Sequence, residues 1–417
     1  MAGWDRDAMW AAPLAAAPLL WPAVWNGYPI VFADTGTYLS QAIERYLGWD
    51  RPPFYSLFML PLHMTVTTWP VVAAQALLTV WVLRQVCAVR WRWLPLVVAP
   101  LAAGTWLPFL VSQLMPDLFT PLLVLVLGFG AKTWRLVAFA AFAIAAQQSS
   151  LLLSVAILCV PLSGLTLKGV LPPLLAVAAL LSVNLLGHGR LALSPYGNVF
   201  LLARVIYDGP GMDVLRRDCP AAGWRLCAFV DRFPATSDEF LWRPDSPAML
   251  AGGHKAVSAE AGAIIAAALR AEPEREARAV LRNGAEQLTR FASGDGLEPW
   301  PAEVTPWIER DFPPAERARY AGALQARGLL AVPPALGAIH TAVGVAGVLA
   351  CLVLLPLAIR RRHRSARLLV VVLVALPVSA LITGGLSTPH DRYQSRIMWL
   401  PPFIAVLSMA AMVRRPA

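Results

Sequence analysis

The sequence predicts an all-α integral membrane bundle of about ten transmembrane helices, with a mainly α extracytoplasmic domain inserted before the last three spans. Three observations lead to this prediction. The composition is 58% hydrophobic and only 14% charged, with a mean hydropathy of +0.58, which is unlike a soluble domain. Apolar runs recur at lengths that suit helices crossing a hydrocarbon layer about 30 Å thick. The basic residues fall in alternate connections between these runs.

Ten apolar segments follow one another along the chain. Each is predicted to be a helix, because a helix satisfies its own backbone hydrogen bonds in lipid. The first is interpreted as a retained span and not as a cleaved signal peptide. The fifth and sixth are barely long enough to cross, but counting them keeps the charge of every loop consistent. In order, the segments are 8–32, 65–86, 93–111, 116–131, 134–146, 151–162, 169–186, 338–359, 368–382 and 397–413.

The basic residues indicate which loops are cytoplasmic. Positive charge concentrates in cytoplasmic loops, so the alternate connections that carry it are assigned to that side. The formal net charge of +10 is thus a topology signal, and nucleic acid is not an expected partner. We expect a multi-pass protein of the inner (cytoplasmic) membrane, embedded in the lipid bilayer, with both termini cytoplasmic. The basic residues concerned are Arg6, Arg84, Arg90, Arg92, Lys132, Arg135, Lys168, Arg360, Arg361, Arg362, Arg364, Arg367, Arg414 and Arg415.

Composition divides the chain into three parts. Residues 1–186 form an N-terminal transmembrane module, 187–337 an extracytoplasmic (periplasmic) domain, and 338–417 a C-terminal module of three spans. The middle part is rich in Arg, Glu, Asp, Pro and Gly and is long enough to bury a core. Apolar residues at three- and four-residue spacing predict helices there over 255–270 and 274–291. Its two cysteines, Cys219 and Cys227, are candidates for a short-loop disulfide in an oxidising compartment.

The first outer loop, residues 33–54, carries the first candidate site. Asp34 opens a short amphipathic helix that bears Tyr38. Two interpretations of Asp34 remain open: a helix N-cap, or a general base held at the membrane surface. The same two interpretations apply to Asp117, which follows Pro116 at the outer entrance of another span.

Arg51 follows in the same loop, before two prolines and Tyr55. The prolines force an extended chain and hold the guanidinium at the depth of the lipid headgroups. An arginine there can grip a phosphate with two parallel hydrogen bonds, or it can simply anchor the end of a span.

The last outer loop is the densest polar cluster outside the 187–337 domain. Arg392 and Arg396 are four residues apart and share one helix face, with His390 and Tyr393 beside them. Polar groups directly before an apolar span are costly near lipid without a function. The two arginines and the histidine could neutralise a phosphate leaving group; interface anchoring is the alternative.

Other polar residues give weaker signals. Gln147 and Gln148 lie between two short spans and could bind sugar hydroxyls or hold helices together, and His188 closes the seventh span. No Cys/His spacing typical of a metal site occurs. A divalent cation, Mg²⁺ or Mn²⁺, has candidate ligands in Asp34 and Asp117, but the spacing does not demand one.

Taken together, these segments resemble the GT-C superfamily of polytopic glycosyltransferases. The matching segments are FADTGTYL with RPPFYSLF, then MPDLFTPLLVL, and finally DRYQSRIMWLPP. The resemblance implies transfer of a sugar from a polyprenyl-phosphate carrier to a glycan, lipid or protein acceptor on the outer face of the membrane. It implies catalytic roles for Asp34 and Asp117, and lipid-phosphate binding by Arg51, His390, Arg392 and Arg396. Implied substrate contacts are Tyr38, Tyr55, Gln147, Gln148, His188 and Tyr393.

The resemblance covers about the first 190 residues and the last 40, with two departures. The first loop has a lone acid at Asp34 where many members carry an acidic pair. The soluble domain precedes the last three spans, where several members place it at the C-terminus.

Two other functions remain open on the sequence. A glycan transferase similar to O-antigen ligases or polymerases would shift the chemistry to His188, Arg190 and the exported domain. A lipid or solute transporter would place ionisable groups near the bilayer midplane and show internal repeats. Neither of those two features is found here.

Overall fold

The computed structural model describes residues 6–160 and 166–413. Within these ranges the chain is helical and has no strand, apart from an isolated parallel bridge between Ile30 and Gln113. The predicted all-α class is confirmed. Parts of the predicted inner tails, Asp5 with Arg414 and Arg415, and the last two residues of the sixth predicted span lie outside the described residues.

Eleven α-helices precede the polar stretch, counted over the described residues. They are α1 (Arg6–Ala16), α2 (Trp21–Asn26), α3 (Ala33–Glu44), α4 (Phe54–His63), α5 (Trp69–Cys87), α6 (Leu94–Gly104), α7 (Leu107–Ser112), α8 (Phe119–Phe129), α9 (Trp134–Ala146), α10 (Ser149–Leu158) and α11 (Leu167–His188). The remaining helices are α12 (Asn198–Tyr207), α13 (Gly211–Asp218), α14 (Ser237–Trp242), α15 (Pro247–Leu250), α16 (Gly253–Ala271), α17 (Pro273–Thr289), α18 (Pro301–Asp311), α19 (Pro314–Gly322), α20 (Pro334–Arg360), α21 (Ser365–Leu386), α22 (Asp391–Ser395) and α23 (Leu400–Val413).

Six helical segments are long enough and apolar enough to cross a membrane. They suggest a multi-pass membrane protein by length and composition. Within the described ranges they are Asp7–Asn26, Trp69–Cys87, Leu167–His188, Pro334–Arg360, Ser365–Leu386 and Asp391–Val413.

The expected number of about ten spans is corrected to six candidates among the described residues. Three predicted spans are short helices, Pro116–Phe129, Trp134–Ala146 and Ser149–Leu158, which at 1.5 Å per residue extend only about 15–21 Å. The predicted span 93–111 is broken, since α6 ends at Gly104 before an extended Thr105 and α7 begins separately. A hydropathy window registers apolar residues whether or not the helix through them is continuous, so it missed this break.

The bundle has two ends, which can be followed along α8 and α21. Asp117 lies just before α8 and Lys132 just after it, while Arg367 lies in the first turn of α21 and Arg392 lies six residues after the end of α21. We call the end with Asp117 and Arg392 the site end, and the end with Lys132 and Arg367 the basic end.

The polar stretch between α11 and α20 contributes to two cores. Helices α12 to α16 enclose their own apolar core, which includes Leu202, Phe240 and Ile264. Farther along, Val304 and Ile308 of α18 belong to the core of the bundle. Part of this stretch is therefore buried against the bundle.

Helix α18 lies against α3 at a glycine. A Cβ on Gly36 would come within 2.0 Å of the carbonyl oxygen of Glu303, so only glycine permits this approach. At the other end of α3, Arg310 pairs with Glu44 at 3.0 Å. Contacts with the polar stretch therefore fix the position of α3, the helix that carries Asp34.

Helix α12 is joined to the bundle by a buried arginine. Arg204 pairs with Glu276 of α17 and donates from Nε to the carbonyl of Gly385 at 2.8 Å. Helices α16 and α17 confirm the two helices predicted in this stretch. Cys219 and Cys227 form a disulfide.

Candidate active site at one end of the bundle

Asp34 lies in the first turn of α3, and its carboxylate is not the cap of that helix. The chain before α3 is extended, and the Phe32 N–H donates to Oγ1 of Thr35 at 2.9 Å. Thr35 in turn donates to the carbonyl of Leu114 at 3.0 Å, which fixes the start of the helix. The Asp34 carboxylate instead accepts from Nη2 of Arg51 at 2.7 Å. The interpretation of Asp34 as a helix N-cap is therefore wrong.

The electrostatic surroundings of Asp34 favour its charged form. Burial by itself raises the pKa of a carboxyl group, but Arg51 and then Arg392 outweigh it and lower the pKa of Asp34. The same pairing raises the pKa of Arg51 despite burial. Asp34 and Arg51 therefore form a charged pair at the site end.

Arg392 brings the last loop to the same place. Its guanidinium lies over the ring of Phe32 at 4.1 Å and over that of Tyr393 at 4.9 Å, a cation–π arrangement. It interacts electrostatically with both Asp34 and Asp117. The two loops predicted to be outer therefore meet, although Asp34 and Arg392 are more than 350 residues apart in the sequence.

The last loop is positioned by the polar stretch and not by its own sequence. The Gln287 side chain accepts from the N–H of His390 and donates to its carbonyl, each at 2.8 Å. Asp295 accepts from the N–H of Arg392 at 2.9 Å, and Asp391 accepts from the N–H of Ala292 at 2.8 Å. These contacts hold the backbone of the loop and leave the Arg392 side chain directed at Phe32.

Asp117 and Arg396 form a second, deeper pair. Arg396 donates from Nη1 to Asp117 at 2.9 Å, and the side chains are only 1% and 8% exposed, respectively. The Asp117 carboxylate is therefore the ion-pair partner of Arg396 and not a helix cap. The Nε atom of Arg396 is buried without a partner among the described residues. A buried pair of this kind is stable only while both charges are present.

Two predicted substrate contacts, Tyr38 and Tyr55, lie beneath the charged pairs. Their rings make an edge contact at 4.9 Å. Burial raises the pKa of Tyr38 well above its usual value, and the charge of Asp34 raises it further, so this hydroxyl is a donor and not a base. The Tyr55 hydroxyl donates to Gln75 at 2.6 Å, which orients it away from solvent.

The remaining predicted residues lie at varying positions. The His390 ring lies edge-on to that of Tyr393, with the ring centroids 5.5 Å apart, within the last loop. His188 shares a hydrogen bond with the Gly48 carbonyl at 3.1 Å, which joins the end of α11 to the first loop. Gln147 ends α9, and Gln148 donates to the carbonyl of Leu193 at 2.6 Å. Neither glutamine has a described contact with the charged pairs.

Sequence reasoning missed the role of Trp49. Its ring stacks on His254 at 4.3 Å and on Phe200 at 6.0 Å, with Tyr196 and Trp242 at 6.1 and 6.2 Å. Four of these five rings come from the polar stretch, so no local pattern predicts the cluster. The Arg51 guanidinium lies 5.9 Å from the Phe200 ring, which places the cluster directly beside the Asp34–Arg51 pair.

Asp50 is the second residue whose role was missed. Burial raises its pKa, while Arg51 opposes the shift and Asp34 adds to it. Asp34 and Asp50 therefore flank one arginine with pKa values displaced in opposite directions, an arrangement that often marks acid–base chemistry. Its position next to Arg51 was the available signal.

The carboxylates do not form a ready set of metal ligands. Asp34 is bound to Arg51 and Asp117 to Arg396. Across residues 6–160 and 166–413, no group of three or more His, Cys, Asp or Glu side chains is arranged to hold a metal ion. The suggested use of Asp34 and Asp117 as ligands for Mg²⁺ or Mn²⁺ does not fit this pairing.

No protein-family model, curated protein or solved structure compared with this chain matches it.

Proposed function

We propose that the chain is a multi-pass inner-membrane glycosyltransferase of the GT-C type, with its site end on the outer face. It would move a sugar from a polyprenyl-phosphate carrier to a glycan, lipid or protein acceptor. The observation that carries the proposal is the meeting of two carboxylate–guanidinium pairs, Asp34 with Arg51 and Asp117 with Arg396. Arg392 lies near both carboxylates.

The distribution of charge supports the proposed orientation. The basic end carries Lys132 and the arginines that follow α20, and positive loops face the cytoplasm. The site end then faces outward, with the 187–337 stretch as its periplasmic cover.

The cationic groups suit a phosphate leaving group. Arg51 pairs with Asp34 and Arg392 interacts with the same carboxylate electrostatically, and both arginines can donate several hydrogen bonds to an incoming phosphate. A donor phosphate that binds Arg51 would separate this arginine from Asp34. The pKa of Asp34 would then rise, because Arg51 is the main cation that lowers it. Binding of the donor would in this way prepare the carboxylate to accept a proton.

The chemical step proposed is a direct displacement at the anomeric carbon of the sugar. The acceptor hydroxyl oxygen forms the new bond as its proton passes to a carboxylate. The bond between the anomeric carbon and the phosphate oxygen breaks, and its electron pair stays with the polyprenyl phosphate. Arg51 and Arg392 would stabilise the developing negative charge.

Asp34 is the first choice for the base, and Asp50 is the alternative that its raised pKa supports. A base works best when its pKa lies near the working pH, which favours Asp50 in the resting enzyme. Asp34 becomes competitive only after the phosphate has engaged Arg51. The aromatic cluster around Trp49 offers flat apolar faces beside both carboxylates for the sugar or the acceptor.

The test is a donor-turnover assay on the purified full chain in proteoliposomes. A panel of polyprenyl-phosphate hexoses and pentoses is supplied with membrane lipid extract as acceptor, and release of polyprenyl phosphate is measured. Asp34→Asn is expected to reduce turnover by roughly 100-fold or more. Glu44→Gln is the matched control, because Glu44 lies on the same helix and also pairs with an arginine, Arg310, in a solvent-exposed position.

The outcomes separate the alternatives. An Asp34→Asn variant that inserts normally and still turns over donor at the wild-type rate would remove Asp34 from the mechanism. In that case, loss of turnover in Asp50→Asn would assign the base to Asp50. Wild-type protein that releases no carrier from any donor of the panel would contradict the transferase proposal.

A further inference from the structure

A large cavity opens at the basic end of the bundle. Its volume is about 1410 Å³, larger than the roughly 300–1,000 Å³ of pockets that hold drug-sized ligands. It lies among the ends of α5, α8 and α20, the start of α21, and the facing sides of α6 and α23. Neither Asp34 nor Arg51 lines it, so it is separate from the candidate active site.

The walls of this cavity are apolar and its mouth is basic. Leu96, Val97, Phe403 and Val406 are typical of the walls. The charged lining residues gather where the helices end, and they are all cations: Lys132, Arg361, Arg364 and Arg367. An apolar slot with a cationic rim matches a molecule that has hydrocarbon chains and an anionic headgroup.

Within residues 6–160 and 166–413, the cations at the mouth have no ion-pair partner. Among the described residues, no carboxylate lies within ion-pair distance of Lys132, Arg361, Arg364 or Arg367. Arg367 donates to the Leu127 carbonyl at 3.0 Å, but its Nε is buried without a partner. Unpaired cations crowded at one opening repel each other, and an anion placed among them relieves that repulsion.

The cavity is open toward the side of the bundle. Leu96 and Val406 of its walls are 66% and 62% exposed, although both are large apolar residues on helices that pack in the bundle. In a membrane such faces contact lipid, so hydrocarbon chains can enter from the bilayer without crossing water. A soluble anion would bind the rim alone and leave the apolar walls unfilled.

We infer that this cavity is a binding site for an anionic phospholipid of the inner leaflet, with its phosphate among Lys132, Arg361, Arg364 and Arg367 and its acyl chains between α6 and α23. Basic pockets between membrane helices on the cytoplasmic side recognise such headgroups. The inference rests on the membrane placement within the proposed function and not on the transfer chemistry.

The site extends toward the active site along one wall. Thr105 lines the deep part of the cavity and also a small pocket formed with His340, Ser293 and Ser395. Ser395 is the neighbour of Arg396, which holds Asp117. The acyl chains of a bound phospholipid would therefore end close to the backbone that carries the second charged pair.

The test measures lipid binding by the full chain without any sugar donor. Detergent-solubilised protein is titrated with phosphatidylglycerol and with phosphatidylcholine of the same acyl chains, and bound lipid is counted by native mass spectrometry. We expect phosphatidylglycerol to bind in preference to phosphatidylcholine. In Arg361→Gln/Arg364→Gln the apparent affinity for phosphatidylglycerol should fall roughly 30-fold, because each cation near an anionic headgroup typically contributes about 1 kcal/mol to binding.

Two further variants separate a filled cavity from general attraction to a basic surface. Arg90→Gln/Arg92→Gln removes two exposed cations that do not line the cavity and should bind as the wild type does. Gly104→Leu keeps every charge but places an apolar side chain in the cavity, where the atom given within 4 Å of a Cβ is on Val343, at 3.9 Å. This variant should bind phosphatidylglycerol more weakly than the wild type does.

Several results would overturn the inference. They are equal binding of the two phospholipids, equal losses in the two double-arginine variants, and unchanged binding in Gly104→Leu. Tighter binding of free polyprenyl phosphate than of phosphatidylglycerol would assign the cavity to a carrier lipid instead. Because no transfer is measured, a failed transferase assay leaves this result unaffected.

Discussion

Both ends of the bundle contain several arginines, but in the described part of the chain arginines are paired with carboxylates at one end and not at the other. At the site end, Arg51 and Arg396 each bind a carboxylate at 2.7 and 2.9 Å. At the basic end, the arginines of the 360–367 segment have no carboxylate partner among the described residues, and four cations line an open cavity.

The difference shows how placement determines what a cation does. A buried guanidinium must be paired, because an isolated charge in a low-dielectric interior costs several kcal/mol. The paired arginines therefore help to hold the fold, and a ligand can use them only by displacing a carboxylate. An exposed guanidinium at an open mouth, such as that of Arg361 or Arg364, remains hydrated, contributes little to stability and is free to bind an anion.

The largest expected effect comes from breaking the buried pair at the site end. Arg396→Gln leaves Asp117 buried and without its cation, which should lower the free energy of unfolding by about 3–5 kcal/mol. Unfolding in mixed detergent, followed by fluorescence, measures the loss. Arg217→Gln, which removes an arginine from an exposed pair with Asp218, should leave the unfolding curve unchanged.

A second variant checks the cause of that loss. In Asp117→Asn/Arg396→Gln both charges are removed, so part of the lost stability should return. A double variant no more stable than Arg396→Gln would show that the loss comes from packing and not from the unpaired charge.

Acid should weaken the site end through His63, a buried residue at the end of α4. Burial lowers the pKa of His63 to about 4, and its Nδ1 accepts from the Thr65 N–H at 3.0 Å. The folded state therefore prefers the neutral ring. The neutral ring therefore contributes its full stability above the usual histidine pKa of about 6.5, and this stability is lost as the pH falls toward 4. At pH 4 the loss in the free energy of unfolding is about 3 kcal/mol.

Unfolding free energies measured between pH 7.5 and pH 4 test this dependence. His63→Gln should flatten the part of the curve between pH 6.5 and 4 relative to the wild type. If the variant keeps the full wild-type slope, the acid sensitivity belongs to other groups.

The smallest effect is expected at the basic end. Arg361→Gln/Arg364→Gln should change the free energy of unfolding in neutral detergent by less than about 0.5 kcal/mol, because both side chains are exposed and have no ion-pair partner in the part of the chain that the structure describes. The same detergent unfolding measurement applies. A loss as large as that of Arg396→Gln would remove the contrast between the two ends.

Much of the site was visible in the sequence as residue types at particular positions. Asp34, Asp117 and Arg392 stood out because charged residues are rare outside the polar stretch and fall at the ends of apolar runs. Their partners were not visible. Asp117 and Arg396 are separated by 279 residues, and no local pattern encodes a contact of that kind.

The ring cluster around Trp49 and the loop contacts of Gln287 were missed for the same reason. Both depend on how the polar stretch folds back on the bundle. Gly36 shows the problem in one residue: in the sequence it is an unremarked glycine inside an amphipathic helix, whereas in the structure the Glu303 backbone occupies the place of its side chain.

The sequence by itself determined the helical class and the separation of charge between the two ends. Both follow from local composition. Apolar runs favour helices in lipid, and the charge of a short loop does not depend on how the helices pack. Only the tertiary structure decided how many helices are long enough to span, which carboxylate each arginine binds, and that the basic end encloses a cavity. These features depend on backbone breaks and on contacts between distant segments, whose energies arise only when the helices pack.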